Sequence, residues 1–222
     1  MRQLGDVERR DRRRRSHRAH RRRVAAGVVR FAQPRPGAWG APTETGVPSE
    51  TETAVFCPTT LYRLGGDLKP TITWSHRLRD LTDFDVLDEL LVLDGALKPD
   101  RYKVLILFQS DFIDQPVLDR LDAFIAAGGR VLVAGRTVPR NLDGVLWPQK
   151  KVAYARQPVI EQFKKLADTH KFRGYDGASD GVWTTRRGTQ LMMLNTTAKA
   201  VVVAPGDVKI PAHEIATTET LP

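Results

Sequence analysis

The sequence predicts an α/β fold: a parallel sheet flanked by helices, then a small β-hairpin-rich C-terminal extension, with a disordered basic tail in front. Three observations carry that prediction. Lys103–Phe108 is an unbroken apolar run, as a parallel strand covered on both faces requires. It is followed by a dozen residues of helical periodicity closed by Gly128-Gly129, and then by a second apolar run, Arg130–Ala134. After Asp180 the pattern shortens to β segments around the turn signal Arg187-Gly188. The chain divides accordingly into a tail (1–53), an α/β unit (54–150) and a helix plus antiparallel β extension (151–222).

The tail holds 13 of the 35 basic residues and 3 of the 26 acidic ones within its first 35 positions. The other 22 basic and 23 acidic residues nearly cancel, so the formal charge of +9 belongs to the tail and gives no folded face a basic character. Arginines and then Pro34, Pro36, Gly37, Gly40, Pro42, Gly46 and Pro48 offer too little apolar surface to offset the entropy of ordering. Two origins remain open for this stretch: a genuine solvated tail, or a start codon set too far upstream in GC-rich coding sequence. An arginine run of this kind can bind nucleic-acid backbones through counterion release.

Ala54–Cys57 reads as a first strand ended by Pro58, and Pro70–Leu81 as a helix with Trp74, Leu78 and Leu81 on one face. Phe84–Leu87 alternates as a second strand, although Leu87–Leu93 fits a helix equally well. Asp114 is placed to cap a helix with Pro116 in its first turn and Val117, Leu118, Leu121, Phe124 and Ile125 as its buried stripe. Pro139–Lys151 reads as loop, and Pro158–His170 as an amphipathic helix with Val159, Ile160, Phe163 and Leu166 inward. Val182–Thr185, Gln190–Leu194, Ala200–Ala204 and Ile210–Ala216 supply the β segments. Two helices give the four-stranded sheet little more than one layer each. The third helix and the segments carrying Trp183, Met192 and Met193, or a partner subunit, are expected to complete its cover.

Tyr102–Leu107, the helix end Ala126-Ala127-Gly128-Gly129 and the strand Val131–Gly135 resemble the class I glutamine amidotransferase-like fold. More narrowly they resemble its non-catalytic version, the trimerisation-type middle domain of some beta-galactosidases and related multidomain glycoside hydrolases. Phe56–Gly66 and Asp83–Glu89 look like the first and second strand ends of that domain, and Gly181–Arg186 with Leu194–Thr197 like the β region that follows it. The resemblance implies a flavodoxin-like sheet and an accessory or interaction role. Other domains or subunits, or a second copy of the chain, would be its partners. It also places the catalytic family members' nucleophile at Gly135-Arg136, where this chain has none.

The residues themselves point to little chemistry. Cys57 is the one cysteine, which excludes an intrachain disulfide and a thiolate cluster. As a nucleophile it would need His76 or His170 as base, neither at a recognisable spacing; a small buried apolar residue is the plainer reading. Asp83, Asp85, Asp88 and Glu89, with Asp111 and Asp114, are dense enough for glycoside hydrolysis, which uses two carboxylates. Solvated or capping roles suit them better, and a catalytic barrel of about 250 residues exceeds this chain. His213-Glu214, on an expected strand, would point to opposite faces and form no metal site, and Gly65-Gly66 lacks the lysine of a phosphate loop.

What remains is the rim outside the carboxyl ends of the strands, where open parallel sheets bind ligands. Its candidates are Thr59, Thr60, Asp88, Glu89, Gln109, Ser110, Asp111, Arg136 and Thr137, a set of hydroxyls, carboxylates and an arginine that suits a sugar or an ordinary hydrated rim. No catalytic residue, metal or cofactor is assigned. No run reaches the ~18 apolar residues of a membrane span, and Val24–Val29 is too short for an export signal. A cytoplasmic chain is therefore expected. Two other functions stay open: a small-molecule hydrolase using Cys57, and a nucleic-acid-associated protein acting through the tail.

Overall fold

A computed structural model describes residues 30–32, 49–134, 138–147, 152–155, 159–173, 181–203 and 208–219. After β1 (Arg30–Ala32), the chain runs β2 (Thr53–Cys57), α1 (Thr59–Arg63), α2 (Lys69–Arg79), β3 (Asp85–Asp88) and α3 (Glu89–Leu93). It continues through β4 (Val104–Leu107), α4 (Gln115–Ala126), β5 (Arg130–Ala134), β6 (Ala153–Ala155) and α5 (Val159–His170). The C-terminal strands are β7 (Val182–Arg187), β8 (Gln190–Asn195), β9 (Val201–Val203), β10 (Val208–Ile210) and β11 (Ile215–Glu219).

The expected parallel sheet is present, with five strands in place of four, in the order β3-β2-β4-β5-β6. Numbered by appearance within the sheet, this is the 2-1-3-4-5 order of flavodoxin-like folds, whose switch point lies between the first and third strands. Here those strands are β2 and β4, paired in parallel with Val55 beside Ile106. Side chains alternate cleanly between the faces. Ala54, Phe56, Leu105, Leu107, Val131 and Val133 point into one core with the α3 and α4 residues Val92, Leu118, Leu121 and Phe124. Val55, Val104, Ile106, Phe108 and Leu132 point into the other, with Leu78 of α2 and Val159, Phe163 and Ala167 of α5.

Local chemistry sets the ends of α4. The Asp114 carboxylate accepts from the Gln115 N–H at 2.9 Å, with Pro116 in the first turn. Gly128 closes the helix at φ +97°, and a Cβ on Gly129 would sit 2.4 Å from the Phe124 ring, so both glycines are required.

Several expectations shift. Thr51, Glu52 and Thr53, assigned to the tail, are buried: Thr53 opens β2, and the Thr51 hydroxyl donates to the Asp83 carbonyl at 2.8 Å. Arg30–Ala32 pair antiparallel with β11, while 1–29 and 33–48 lie outside the described residues. The boundary set at 150 falls ahead of β6, which pairs in parallel with β5, and of α5, which packs on the same sheet. Ile210–Ala216 is not one strand but β10, a turn and β11; the turn holds His213 at φ +57°. The loop over Pro139–Trp147 is tied down, with the Trp147 indole N–H donating to Asp122 at 2.6 Å.

The C-terminal extension is antiparallel as expected. One sheet runs β1-β11-β8-β7 and a separate hairpin joins β9 to β10. Gly188, at φ +57°, turns the β7–β8 hairpin beside the Arg187–Gln190 pair. Met193 does not cover the parallel sheet. It faces a third core with Val182, Leu191, Val203, Ile210 and Ala216. The neighbouring strand position points the other way, and Trp183 reaches across to the α/β unit.

Candidate functional site

The switch point brings together the loop after β2, the start of α3 and the loop after β4, and with them most of the predicted rim. Glu89, only 5% exposed, is the centre of that group. Its carboxylate accepts from the Thr59 hydroxyl at 2.6 Å, the Thr60 hydroxyl at 2.6 Å, and the Thr60 N–H at 2.9 and 3.0 Å. Pro58, at the cap position of α1, has no capping side chain, so Glu89 supplies the cap from a neighbouring element. Asp88 caps its own helix, accepting from the Leu91 N–H at 2.8 Å.

Gln109 ties the other side of the switch point. Its carbonyl oxygen accepts from the Thr71 N–H at 3.0 Å and the Thr71 hydroxyl at 2.6 Å, and its amide donates to the Asp67 carbonyl at 2.7 Å. The N-terminal turn of α2 is thereby fastened to the end of β4. Ser110 is buried and Asp111 is exposed. Arg136 and Thr137 lie outside the described residues. The fold thus gathers Thr59, Thr60, Asp88, Glu89 and Gln109 at one sheet edge, where they bind backbone groups or one another. Around them stand exposed apolar side chains: Tyr62 and Leu64 from α1 and its end, Leu90 and Leu91 from α3.

Asp83 and Asp85 also serve structure. Asp83 is buried and pairs with Arg79, accepts from the Phe84 N–H at 2.9 Å, and accepts from the Thr185 hydroxyl at 2.6 Å. Asp85 accepts from Arg101 at 2.6 Å and from the Tyr102 hydroxyl at 2.7 Å. Burial, and then the Asp85 carboxylate, push the Tyr102 phenol up to about 12, so it remains a donor.

Cys57 ends β2, half-buried. Burial raises its thiol above the ordinary value, and the charges of Asp88 and Glu89 raise it further. A nucleophilic thiol needs the opposite, an electropositive setting that favours the thiolate. Sequence spacing did not connect Cys57 with a histidine, yet the fold puts His76 in the wall of the same cavity. That cavity, about 330 Å³, opens between α2, the strands β2 and β3, and Trp183 of β7. Its helical wall includes Ile72, Ser75, His76 and Arg79, an i, i+3, i+4, i+7 set along one face of α2.

Two acidic groups seat the C-terminal sheet beside the cavity. Asp80 accepts from the Trp183 indole N–H at 3.1 Å and the Gly181 N–H at 3.3 Å, and Asp83 accepts from Thr185 as above. Farther along, the Glu52 carboxylate accepts from the Arg173 N–H at 2.9 Å and its side chain at 3.1 Å. Among the described residues no cluster of three potential metal ligands occurs, and no helix is long and apolar enough to cross a membrane.

No protein-family model matches the chain, and no curated protein does. Solved structures do resemble it. The beta-galactosidase of the psychrophilic Marinomonas ef1 superposes with a TM-score of 0.61 at 13% identity, over 79% of this chain and 38% of that one. The beta-galactosidase of Rahnella sp. R3 gives 0.59 at 14% identity, over 78% and 42%. An exo-carrageenase GH42 from Bacteroides ovatus gives 0.53 at 9% identity, over 78% and 29%. The chain spans about two-fifths or less of the length of each of these proteins. At such identities the likeness is one of fold: most of this chain is built like one part of these glycosidases.

Proposed function

We propose that this chain is a non-catalytic contact domain of the amidotransferase-like type in a glycoside-hydrolase-like protein of the cytoplasm, and that its partners are other domains or subunits of such an assembly. The observation that carries this reading is the composition of the carboxyl edge. Thr59, Thr60, Asp88, Glu89 and Gln109 are engaged with backbone or with neighbouring side chains, and Tyr62, Leu64, Leu90 and Leu91 stand exposed on the same elements. A sugar site needs polar groups free to replace the water around hydroxyls. A protein contact needs clustered exposed apolar and aromatic side chains instead. The glycosidase context is supported by the fold shared with two beta-galactosidases and an exo-carrageenase, of which the chain matches one part. Their different substrates give no basis for assigning one here.

Sedimentation velocity of the purified chain over a range of concentrations in moderate salt tests the reading. Reversible association is expected, and Leu90→Lys with Tyr62→Lys should reduce it without altering the circular dichroism spectrum. A chain that stays monomeric throughout, or one whose association ignores both substitutions, would overturn the contact role of this edge. Saturable binding of galactose or lactose with a monomeric chain would favour a carbohydrate rim.

A further inference from the structure

The cavity behind α2 touches the carboxyl edge through Cys57 and Thr71, but its lining is of a different chemistry. Val55 and Val86 form its floor from β2 and β3, while Phe84 and Trp183 supply aromatic surface. The volume of about 330 Å³ falls at the lower end of the ~300–1,000 Å³ of small-molecule sites, which favour junctions between structural units. This one lies where the C-terminal sheet, held by Asp80 and Asp83, meets the α/β unit.

The polar groups around it limit what can enter. The Arg79 guanidinium lies 5.1 Å from the Phe84 ring centre and 6.0 Å from that of Trp183, but its charge is paired with Asp83. It therefore offers an aromatic-facing plate more than a free cation. The Thr71 hydroxyl already donates to Gln109. The His76 ring meets Trp183 edge-on at 5.9 Å. Cys57 adds a thiol that burial, Asp88 and Glu89 keep from ionising. A sugar would set most of its hydroxyls against Val55, Val86, Phe84 and Trp183, and a charged group would lose its water there with Arg79 already paired. A neutral ring system is left, able to offset-stack on Trp183 and Phe84.

We propose that this cavity binds a neutral, flat aromatic small molecule of about two fused rings, held between α2, the β2–β3 floor and Trp183. This goes beyond the contact role and does not depend on it. Cys57 is the chain's one cysteine and lines the cavity, so its alkylation by iodoacetamide, read by mass, reports occupancy at a single position. With 2-naphthol as probe on the full chain, alkylation should slow several-fold and saturably, and its rate in urea should not change. Ser75→Phe, which fills the cavity from α2, should abolish the naphthol-dependent part. Val86→Trp, at an exposed edge-strand position, should do the same if Ser75→Phe does not fold. No slowing up to the solubility limit of 2-naphthol, or equal saturable protection in a folded cavity-filled variant, would overturn the site.

Discussion

The α/β unit and the C-terminal sheet are held together by different means. The parallel sheet has a core on each face, and its central strand, Val104–Leu107, is buried along its whole length. The antiparallel sheet closes over one small core of six side chains and is seated on its neighbour through Asp80 and Asp83. Apolar burial grows with the number of covered faces, whereas a two-layer patch with one small core is marginal alone. The first unit is therefore expected to hold its structure by packing, and the second by packing plus a few charge-assisted bonds to the first. A sheet anchored in that way can loosen without the rest of the chain unfolding.

The sharpest test of that contrast compares two truncations. Leu105→Ala, in the centre of the parallel sheet, should cost about 2–5 kcal/mol and lower the melting of the whole chain. Met193→Ala removes a side chain of similar size from the small core. Hydrogen exchange should then show loss of protection over β7, β8 and β11 with β4 and β5 still protected. Uniform loss throughout would make the two units one cooperative block.

Asp83→Ala comes next. It strips Arg79 of its partner and removes the acceptor of Thr185. Because Arg79 is partly open to water, the cost should be about 2 kcal/mol, below that of breaking a fully buried pair. Exchange should rise in β7 before it rises in β4. A smaller effect is expected for Glu89→Gln, about 1 kcal/mol, since an acceptor remains but the charge assistance is lost. The same variant sharpens the reading of Cys57. In the parent chain the pH profile of alkylation should have its midpoint above the ordinary thiol value of 9.0, because burial, Asp88 and Glu89 all disfavour the thiolate. Removing one negative charge should move that midpoint down. A midpoint below 9.0 in the parent chain would mean an activated thiol.

The same contrast explains what the sequence disclosed. Lys103–Phe108, the Asp114 cap and Gly128-Gly129 were legible because each rests on local rules: an apolar run, a cap residue, a left-handed closure. The five-residue α1 was not, since its cap is Glu89, some 30 residues away in sequence. The fifth strand, Ala153–Ala155, is three residues of weak apolar character, and its pairing with β5 defines it more than its composition does. Thr51–Thr53 read as tail because threonine and glutamate carry no apolar signal, yet Thr51 bonds to Asp83, Glu52 to Arg173, and Thr53 pairs beside Val104 in β2. At the rim, capping was the preferred reading for the Asp88 and Glu89 carboxylates, but not the partners they cap. Thr59, Thr60 and Glu89 look like ligand groups in sequence, and only the fold shows that they bond to one another. The cavity went unread because its helical wall mixes Ile72, Ser75, His76 and Arg79, a face without a uniform polarity.

The proposed contact role requires that Asp88, Glu89 and Cys57 at the carboxyl edge carry out no chemistry. Turnover of 4-nitrophenyl β-galactoside and of glutamine by the repurified chain measures this most directly, with Glu89→Gln, Asp88→Asn and Cys57→Ala run alongside. The expected result is no hydrolysis above the buffer rate in any sample, while Glu89→Gln still shows its loss of stability. Hydrolysis that survives repurification and disappears with one of the three substitutions, in a variant that remains folded, would contradict it.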